Sequence, residues 1–275
     1  MTILVTGATG NAGGAVLRAV LASGRPARAL VRRADAPLPR AAESAVGDLN
    51  DPDSLRGALE GVTGLFLLSG YEGIERTLAR ARDAGVERVV LLSSSAAPDG
   101  DMDNAVARYH ILSERAVQGS GLAWTFLRPN AFMSNAYRWK PQLAAGDVVR
   151  LPFAHVRTAA IHPDDLGEVA AAALSDPAHA GQAYRLSGPE SLLPEDQVRI
   201  LGRALGRDLR LEPQSDAEAR AEMEAAMPAP YVDAFFRFYA DGDLDESQVL
   251  PTVERILGRP PRTFEQWASA HADDF

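Results

Sequence analysis

Through the first half of the chain, short apolar runs alternate with stretches in which apolar residues recur at helical spacing. The apolar runs predict strands at residues 3–6, 27–31, 45–46, 64–68, 88–93 and 124–127. The stretches between them predict helices at residues 11–21, 55–60, 73–84 and 103–118. Strands that alternate with helices pair in parallel through right-handed crossovers. The pattern therefore predicts an α/β fold built on a doubly wound parallel sheet.

The alternation becomes irregular after residue 129. The pattern there predicts a partly helical stretch at 132–142, an extended stretch at 148–158, helices at 164–174, 194–205, 216–226 and 231–239, a strand at 184–186, and a last helix ending at 271. We therefore expect a sheet domain in residues 1–130, with a returning segment near 155–178. Residues 131–275 would mostly form a smaller, interleaved lobe. Such a lobe would cover the carboxyl ends of the strands, where ligands bind in open α/β sheets.

The composition excludes several classes of protein. The chain has 275 residues, 28 Lys and Arg against 37 Asp and Glu, a formal net charge of −9 and no cysteine. Disulfides, thiolate zinc sites and iron–sulfur clusters are thereby excluded, and no histidine spacing indicates a metal. The acidic balance without a basic cluster argues against a nucleic-acid partner. No apolar run has the length of a signal peptide or membrane span, so we expect a cytoplasmic protein.

A glycine-rich loop joins the first predicted strand to the first predicted helix. Three of its glycines are spaced three residues apart. Glycines in this context form a tight turn, let a pyrophosphate approach the backbone and let the helix pack on the strand, while the helix N-terminus attracts the negative charge. The loop therefore indicates the dinucleotide site of a Rossmann fold. The residues expected to contact the cofactor here are Gly7, Thr9, Gly10, Asn11, Ala12 and Gly13.

Two arginines follow the second predicted strand, at the position that selects between the nicotinamide dinucleotides. An acidic residue there would bind the ribose 2′-hydroxyl of NAD, whereas an arginine accommodates the 2′-phosphate of NADP. Arg32 and Arg33 occupy this position, so we expect NADP as the cofactor, with NADPH preferred over NADH. Exposed arginines are common, and a solvated loop position is the alternative for one of the two.

Several segments carry a resemblance to a known family. They read TGATGNAGG, ALVRR, VGDLNDPDSL, VVLLSSS and RYHILSERAVQGSGLAWTFLRPNAFMSN. Together they resemble the NmrA-like branch of the atypical short-chain dehydrogenase/reductases, particularly its NAD(P)H:quinone oxidoreductase-like members. The resemblance implies that Asp48 and Leu49 flank the adenine and that Ser69 borders a ribose. It also implies that Pro129 and Asn130 approach the nicotinamide. A turn-capping role is the alternative for Asp48.

The chain departs from the catalytic residues that are usual in this family. Typical short-chain dehydrogenases use a serine and a Tyr-x-x-x-Lys pair, which shares one helix face. The only lysine is Lys140, and a serine stands four residues after Tyr109. Tyr109 or His110 remains as a candidate proton donor near the nicotinamide. Ser94, after the fifth predicted strand, is the candidate that hydrogen-bonds the substrate. A surface pair of His110 with Glu114 is the structural alternative.

The missing lysine favours particular reactions. Reduction of an unactivated ketone gives an alkoxide that needs a positioned acid, whereas a quinone accepts hydride to give a weakly basic anion and needs positioning more than acid. We therefore predict an enzyme that transfers hydride from NADPH to a quinone or similarly activated acceptor. One alternative is a non-enzymatic NADP(H) sensor acting through a protein partner. The other is a biosynthetic ketone reductase or epimerase with Tyr109 or His110 as acid.

The acceptor pocket is expected directly after the sixth predicted strand. Phe132 and Met133 follow Pro129 closely, and with Asn130 they are the predicted substrate residues. The aromatic helix at 231–239 is interpreted as core, because aromatic residues at helical spacing mostly pack inside. The expected partners are a small-molecule acceptor and, as open alternatives, a second copy of the chain or another protein, with no membrane.

Overall fold

The computed structural model describes residues 2–98 and 100–275. Its strands are β1 (Thr2–Val5), β2 (Ala27–Val31), β3 (Glu43–Val46), β4 (Val62–Leu68), β5 (Arg88–Leu92), β6 (Ala123–Pro129), β7 (Val148–Leu151), β8 (Gln182–Leu186) and β9 (Arg210–Pro213). Seven of them form one parallel sheet in the order β3-β2-β1-β4-β5-β6-β8. The order reverses between β1 and β4, so the predicted doubly wound sheet is confirmed. Its carboxyl edge carries the crevice in which such folds bind ligands.

Helices cover both faces of this sheet. One face carries α1 (Asn11–Ala22) and α6 (Pro163–Ser175), and the other carries α2 (Arg56–Leu59), α3 (Ile74–Asp83) and α4 (Ala105–Gln118). In β1, Ile3 and Val5 belong to the core under α1, whereas Leu4 belongs to the core under α3. A parallel strand covered on both sides must be apolar on both sides. This requirement explains the uninterrupted apolar runs in the sequence.

The lobe is built from short elements that follow β6. Its helices are α5 (Lys140–Ala145), α7 (Pro194–Leu205), α8 (Asp216–Ala226), α9 (Ala229–Tyr239) and α11 (Phe264–Ala270). Helix α10 (Thr252–Leu257) instead packs against α6 and β8 of the sheet. Strands β7 and β9 form a separate parallel pair. The extended stretch predicted through residue 158 ends at Leu151, because Phe153 has a left-handed φ of 52°. None of the helices in the described ranges is both long and apolar enough to cross a membrane.

A cluster of charged groups around the buried Asp165 fixes the segment that follows α10 to the sheet domain. Asp165 on α6 is fully buried and accepts hydrogen bonds from the guanidinium groups of Arg259 and Arg262 and from the Arg262 backbone amide. Glu168, one turn later, accepts from the same two arginines. A buried carboxylate needs such partners to offset its lost hydration. The segment between α10 and α11 is therefore fixed against α6.

Candidate active site

The glycine-rich loop runs from the end of β1 into α1. Gly7 has a φ of 62°, in the region that favours glycine. A Cβ added at Gly13 would lie 2.3 Å from the Gly7 carbonyl oxygen, so the fold itself requires glycine there. A Cβ added at Gly10 would lie 3.4 Å from the same oxygen, which is an ordinary contact. The space beside Gly10 is therefore open to a ligand.

The first turn of α1 can bind an anion. The backbone amides of Asn11, Ala12 and Gly13 lack intrahelical acceptors because they lie in the first turn. Gly10, the N-cap residue, has no side chain that could accept from them. Unpaired amides and the helix dipole attract a phosphate group. Thr9 lines the cavities on both sides of the loop. These residues fit the pyrophosphate of a dinucleotide.

A cavity of about 220 Å³ beside the loop holds the residues expected at the adenosine end of a dinucleotide. Its lining includes Gly7, Thr9, Arg32, Asp48 and Leu49. The Asp48 carboxylate accepts a hydrogen bond from the Asn50 backbone amide at 2.9 Å, so Asp48 also has the turn-capping role. We call this cavity the adenosine pocket.

The two arginines that follow the second strand differ in environment. Arg32 lines the adenosine pocket. The guanidinium of Arg33 instead donates two hydrogen bonds to the Asp35 carboxylate, at 2.6 and 2.9 Å, and both side chains are exposed. The structure thus brings Arg32 to the pocket, while Arg33 is a solvated loop residue.

A cavity of about 380 Å³, which we call the inner cleft, opens at the carboxyl ends of β4, β5 and β6. It brings together seven predicted site residues, which are Ser69, Ser94, Tyr109, His110, Pro129, Asn130 and Phe132. The expectation for Met133 is corrected. Its side chain is 3% exposed and packs in the lobe core with Trp139 and Leu143, because the 3-10 helix Met133–Trp139 turns it inward.

The two predicted proton donors lie side by side in the wall of the cleft. The Nδ1 atom of His110 is 2.8 Å from the Ser69 hydroxyl oxygen, and burial lowers the pKa of His110 to about 4. Its imidazole is therefore neutral near pH 7. The Tyr109 ring lies 4.2 Å from the His110 ring, and burial raises the pKa of Tyr109. Lys140 lies elsewhere, over the ring of Tyr137, so it does not activate Tyr109.

Glu114 does not form the alternative surface pair with His110. It is 6% exposed and accepts hydrogen bonds from the Arg128 guanidinium at 2.6 and 2.8 Å and from the Ser93 hydroxyl at 2.6 Å. These contacts tie α4 to the ends of β5 and β6. The helix is thereby fixed with Tyr109 and His110 toward the cleft.

Three successive serines follow β5, and only the middle hydroxyl is free to donate among the residues described. Ser93 donates to Glu114 at 2.6 Å, and Ser95 donates to Glu246 at 2.8 Å. The Ser94 oxygen accepts a hydrogen bond from the Ala96 amide at 3.2 Å. The hydroxyl proton of Ser94 can therefore be donated to a ligand in the cleft.

The lobe supplies a buried acid that the sequence analysis missed. Glu246 is 5% exposed, lines the cleft and accepts hydrogen bonds from the hydroxyls of Ser95 and Tyr239, the latter at 3.1 Å. Burial raises the pKa of Glu246, and burial together with the Glu246 charge raises the pKa of Tyr239. Glu246 lies in the polar segment 241–248, which reads as an ordinary solvated loop, so no signal in the sequence indicates it.

Asn130 offers an unsatisfied acceptor at the cleft. Its side chain is 2% exposed, and its amide nitrogen donates to the Glu246 backbone carbonyl at 3.0 Å. Its side-chain oxygen is buried without a hydrogen-bond partner in the ranges that the structure covers. Buried acceptors rarely stay unpaired, and the carboxamide of a nicotinamide would supply the missing donor.

The aromatic helix α9 forms one wall of the inner cleft. Phe235, Phe238 and Tyr239 line it, whereas Val232 and Phe236 pack into a lobe core. Phe238 is also buried and packs with Ile111 and Leu244, and Phe235 and Tyr239 pack against the same cluster. The interpretation of this helix as core therefore holds for both faces, and one of them also lines the cleft. Aromatic side chains of α9 thus line the same cleft as Pro129 and Asn130.

Comparisons with known proteins agree with this geometry. The NAD(P)H-binding family matches residues 7–177. The chain is 38% identical over 279 residues to a (4-alkanoyl-5-oxo-2,5-dihydrofuran-3-yl)methyl phosphate reductase from Streptomyces griseus. It is 33% identical over 284 residues to an NAD(P)H azoreductase from Xenophilus azovorans. Each alignment covers 99% of this chain and 99% of the relative. An NADPH-dependent quinone oxidoreductase from Escherichia coli shares the fold, with a TM-score of 0.77, 24% identity and coverage of 98% of this chain and 99% of that one.

The matched region contains the glycine-rich loop, the adenosine pocket and the strand ends around the inner cleft. Both sequence relatives are named as reductases that match along their whole length, so the prediction of an enzyme is confirmed. The chain belongs to the NAD(P)H-binding family and is an NAD(P)H-dependent oxidoreductase.

Proposed function

We propose that the protein transfers hydride from NADPH to an electron-poor, conjugated acceptor, either a quinone or an alkene conjugated with carbonyl groups. The observation that carries the proposal is the make-up of the inner cleft, which has aromatic walls, a neutral His110 and a Tyr109 without a lysine. Such a site can position a flat acceptor but supplies little acid in step with the hydride. An acceptor whose reduced anion is delocalised can be reduced without a positioned acid.

Each part of the site has a role in this reaction. Bound NADPH would supply the hydride. The loop at residues 7–13 would hold the pyrophosphate, and the Asn130 side-chain oxygen would accept a hydrogen bond from the nicotinamide carboxamide. The Ser94 hydroxyl would donate to a carbonyl oxygen of the acceptor. Water would supply the proton that completes the reduction, because a delocalised reduced anion is only weakly basic and does not need a positioned acid.

The names of the two sequence relatives support this class of acceptor. The furanone phosphate named for the Streptomyces relative has a ring double bond conjugated with two carbonyl groups, and the other relative is named for reduction of an azo group. Both groups are conjugated π systems with low-lying empty orbitals. Neither resembles an isolated ketone.

Removal of Arg32 should weaken the preference for NADPH. If the Arg32 guanidinium binds the 2′-phosphate, Arg32→Ala should lower the ratio of NADPH to NADH affinity about tenfold, which corresponds to about 1.4 kcal/mol. Calorimetric titration with both cofactors measures the ratio. Arg33→Ala is the matched control, because Arg33 is paired with Asp35, and it should leave the ratio unchanged. Equal ratios in wild type and Arg32→Ala would contradict the assignment.

An acceptor panel tests the proposed reaction. Purified protein should oxidise NADPH with quinones and with alkenes conjugated to two carbonyls, and at least a hundredfold more slowly with isolated ketones, because these need a positioned acid. Loss of absorbance at the nicotinamide band gives the rate. Tyr109→Phe should slow quinone reduction tenfold or less. A thousandfold loss in Tyr109→Phe, together with ketone turnover, would instead favour an acid-dependent ketone reductase.

A further inference from the structure

A larger cavity lies in the lobe beside the inner cleft. It has a volume of about 590 Å³ and lies between the 3-10 helix Met133–Trp139, the end of β7 and α8; we call it the lobe chamber. Its lining shares Ala131, Phe132, Asn135 and Tyr239 with the inner cleft. The two cavities are therefore adjoining spaces that one ligand can occupy together, and the volume is ample for part of a small molecule.

We infer that the lobe chamber binds an apolar tail of the acceptor, so that the substrate class is a conjugated ring with an alkyl or acyl chain. This inference rests on the proposed function, because it places the reacting ring in the inner cleft. The chamber walls include the side chains of Trp139, Leu151, Phe153, Val156 and Met223. Methionine is flexible and fits apolar chains of varied shape.

Several polar groups that line the chamber are paired within the protein, whereas no side-chain partner is described for Asn135 and Arg138. The Arg150 guanidinium binds Glu212 at 2.9 Å and Glu222 at 3.5 Å, and the Gln214 amide donates to Glu222 at 2.8 Å. Gln142 bonds the backbone of Arg150 through both ends of its side chain. Polar groups that already have partners make no demand on a ligand. Most of the surface left for contact is therefore apolar.

The backbone conformation of Phe153 supports a ligand-binding role for this wall. It is the one residue other than glycine with a positive φ in the described chain, at 52°, a conformation that is unfavourable for a bulky side chain. Its ring packs edge-on against Phe236, with centroids 5.1 Å apart, and lies 5.5 Å from Tyr239. Strain of this kind persists where the surroundings hold it and is concentrated at functional sites. Here it places an aromatic ring between the chamber and α9.

A series of benzoquinones with tails from methyl to octyl tests the inference. With wild-type protein and saturating NADPH, kcat/KM should rise up to about fourfold for each methylene that enters the chamber and then stop rising. Ala226→Trp, which places a large ring at the chamber wall, should lower kcat/KM for the octyl compound at least thirtyfold and leave the methyl compound within twofold of wild type. Met223→Ala, which enlarges the chamber, should move the plateau to longer tails.

Ala225→Trp is the matched control for Ala226→Trp. Both alanines are exposed on α8, but only Ala226 lines the chamber, so the control should behave as wild type with every tail. Equal rates for all tails, or equal losses with methyl and octyl compounds in Ala226→Trp, would overturn the inference and leave the proposed function standing.

Binding without turnover separates this inference from the proposed function. Calorimetry with 4-octylphenol and 4-methylphenol, in the presence of NADP, uses probes that cannot be reduced. The octyl probe should bind at least thirtyfold more tightly, and Ala226→Trp should remove that difference. If this result is obtained while no quinone or conjugated alkene is reduced, the chamber assignment holds and the proposed reaction is wrong. Equal affinities for the two probes would overturn the chamber assignment.

Discussion

Gly10→Val should lower the affinity for NADPH at least a hundredfold while the protein stays folded. A side chain at this position would occupy the space that the pyrophosphate needs beside the first turn of α1. The fold tolerates the change, because a Cβ at Gly10 meets only the Gly7 carbonyl oxygen at 3.4 Å. Calorimetry measures the affinity, and thermal unfolding without cofactor measures the fold.

Gly13→Ala provides the contrast. A Cβ there would lie within 2.5 Å of backbone atoms of Gly7 and Thr6, so this variant should lose thermal stability even without cofactor. The two glycines thus separate a role in ligand binding from a role in packing. Normal NADPH affinity in a folded Gly10→Val variant would show that the pyrophosphate is held elsewhere.

The free energy of unfolding should fall by about 3 kcal/mol between pH 6.5 and pH 4 through His110 alone. Burial lowers the pKa of His110 from 6.5 in the unfolded chain to about 4 in the folded one. Between these values the unfolded chain binds the proton and the folded chain does not, so stability is fully present above pH 6.5 and is lost as the pH falls toward 4. Urea unfolding across this range measures the change.

His110→Phe isolates this contribution. The variant keeps a ring at the position but has no titrating group, so the difference in stability between wild type and variant should change with pH in the 6.5 to 4 window. The raised pKa of Glu246 and the lowered pKa values of Asp164 and Glu168 affect both proteins alike. A difference that stays constant with pH would show that His110 titrates normally in the folded protein.

The parts of the fold that depend on local sequence patterns could be predicted from the amino-acid sequence. Each sheet strand that precedes the lobe coincides within a few residues with an apolar run, because both faces of a parallel sheet are covered. Gly7, Gly10 and Gly13 indicated the loop, because a left-handed φ, room for a ligand and a close backbone contact in turn favour glycine at these positions. The absence of a lysine four residues after Tyr109 was also evident from the sequence, and it is the reason for the proposed class of acceptor.

The parts that depend on distant contacts could not be predicted. Glu246 reaches the cleft only because the segment after α9 folds back, so that its backbone carbonyl accepts hydrogen bonds from Asn130 and from the Ala159 amide. Phe132 lines the cleft, whereas its neighbour Met133 lies in the lobe core, because the 3-10 helix that begins at Met133 turns this side chain inward. Neither the hydropathy pattern nor a motif contains such information.

The place of β8 at the edge of the sheet affects how the protein folds during synthesis. Strand β8 pairs with β6 although the first part of the lobe lies between them in the chain. Val253, later still, completes the core under α1. Until these residues leave the ribosome, β6 has an open edge with unpaired backbone groups, which invites pairing with other chains. We therefore expect the sheet to be completed only after the first part of the lobe has been synthesised, since a nascent chain that stops at residue 130 lacks β8.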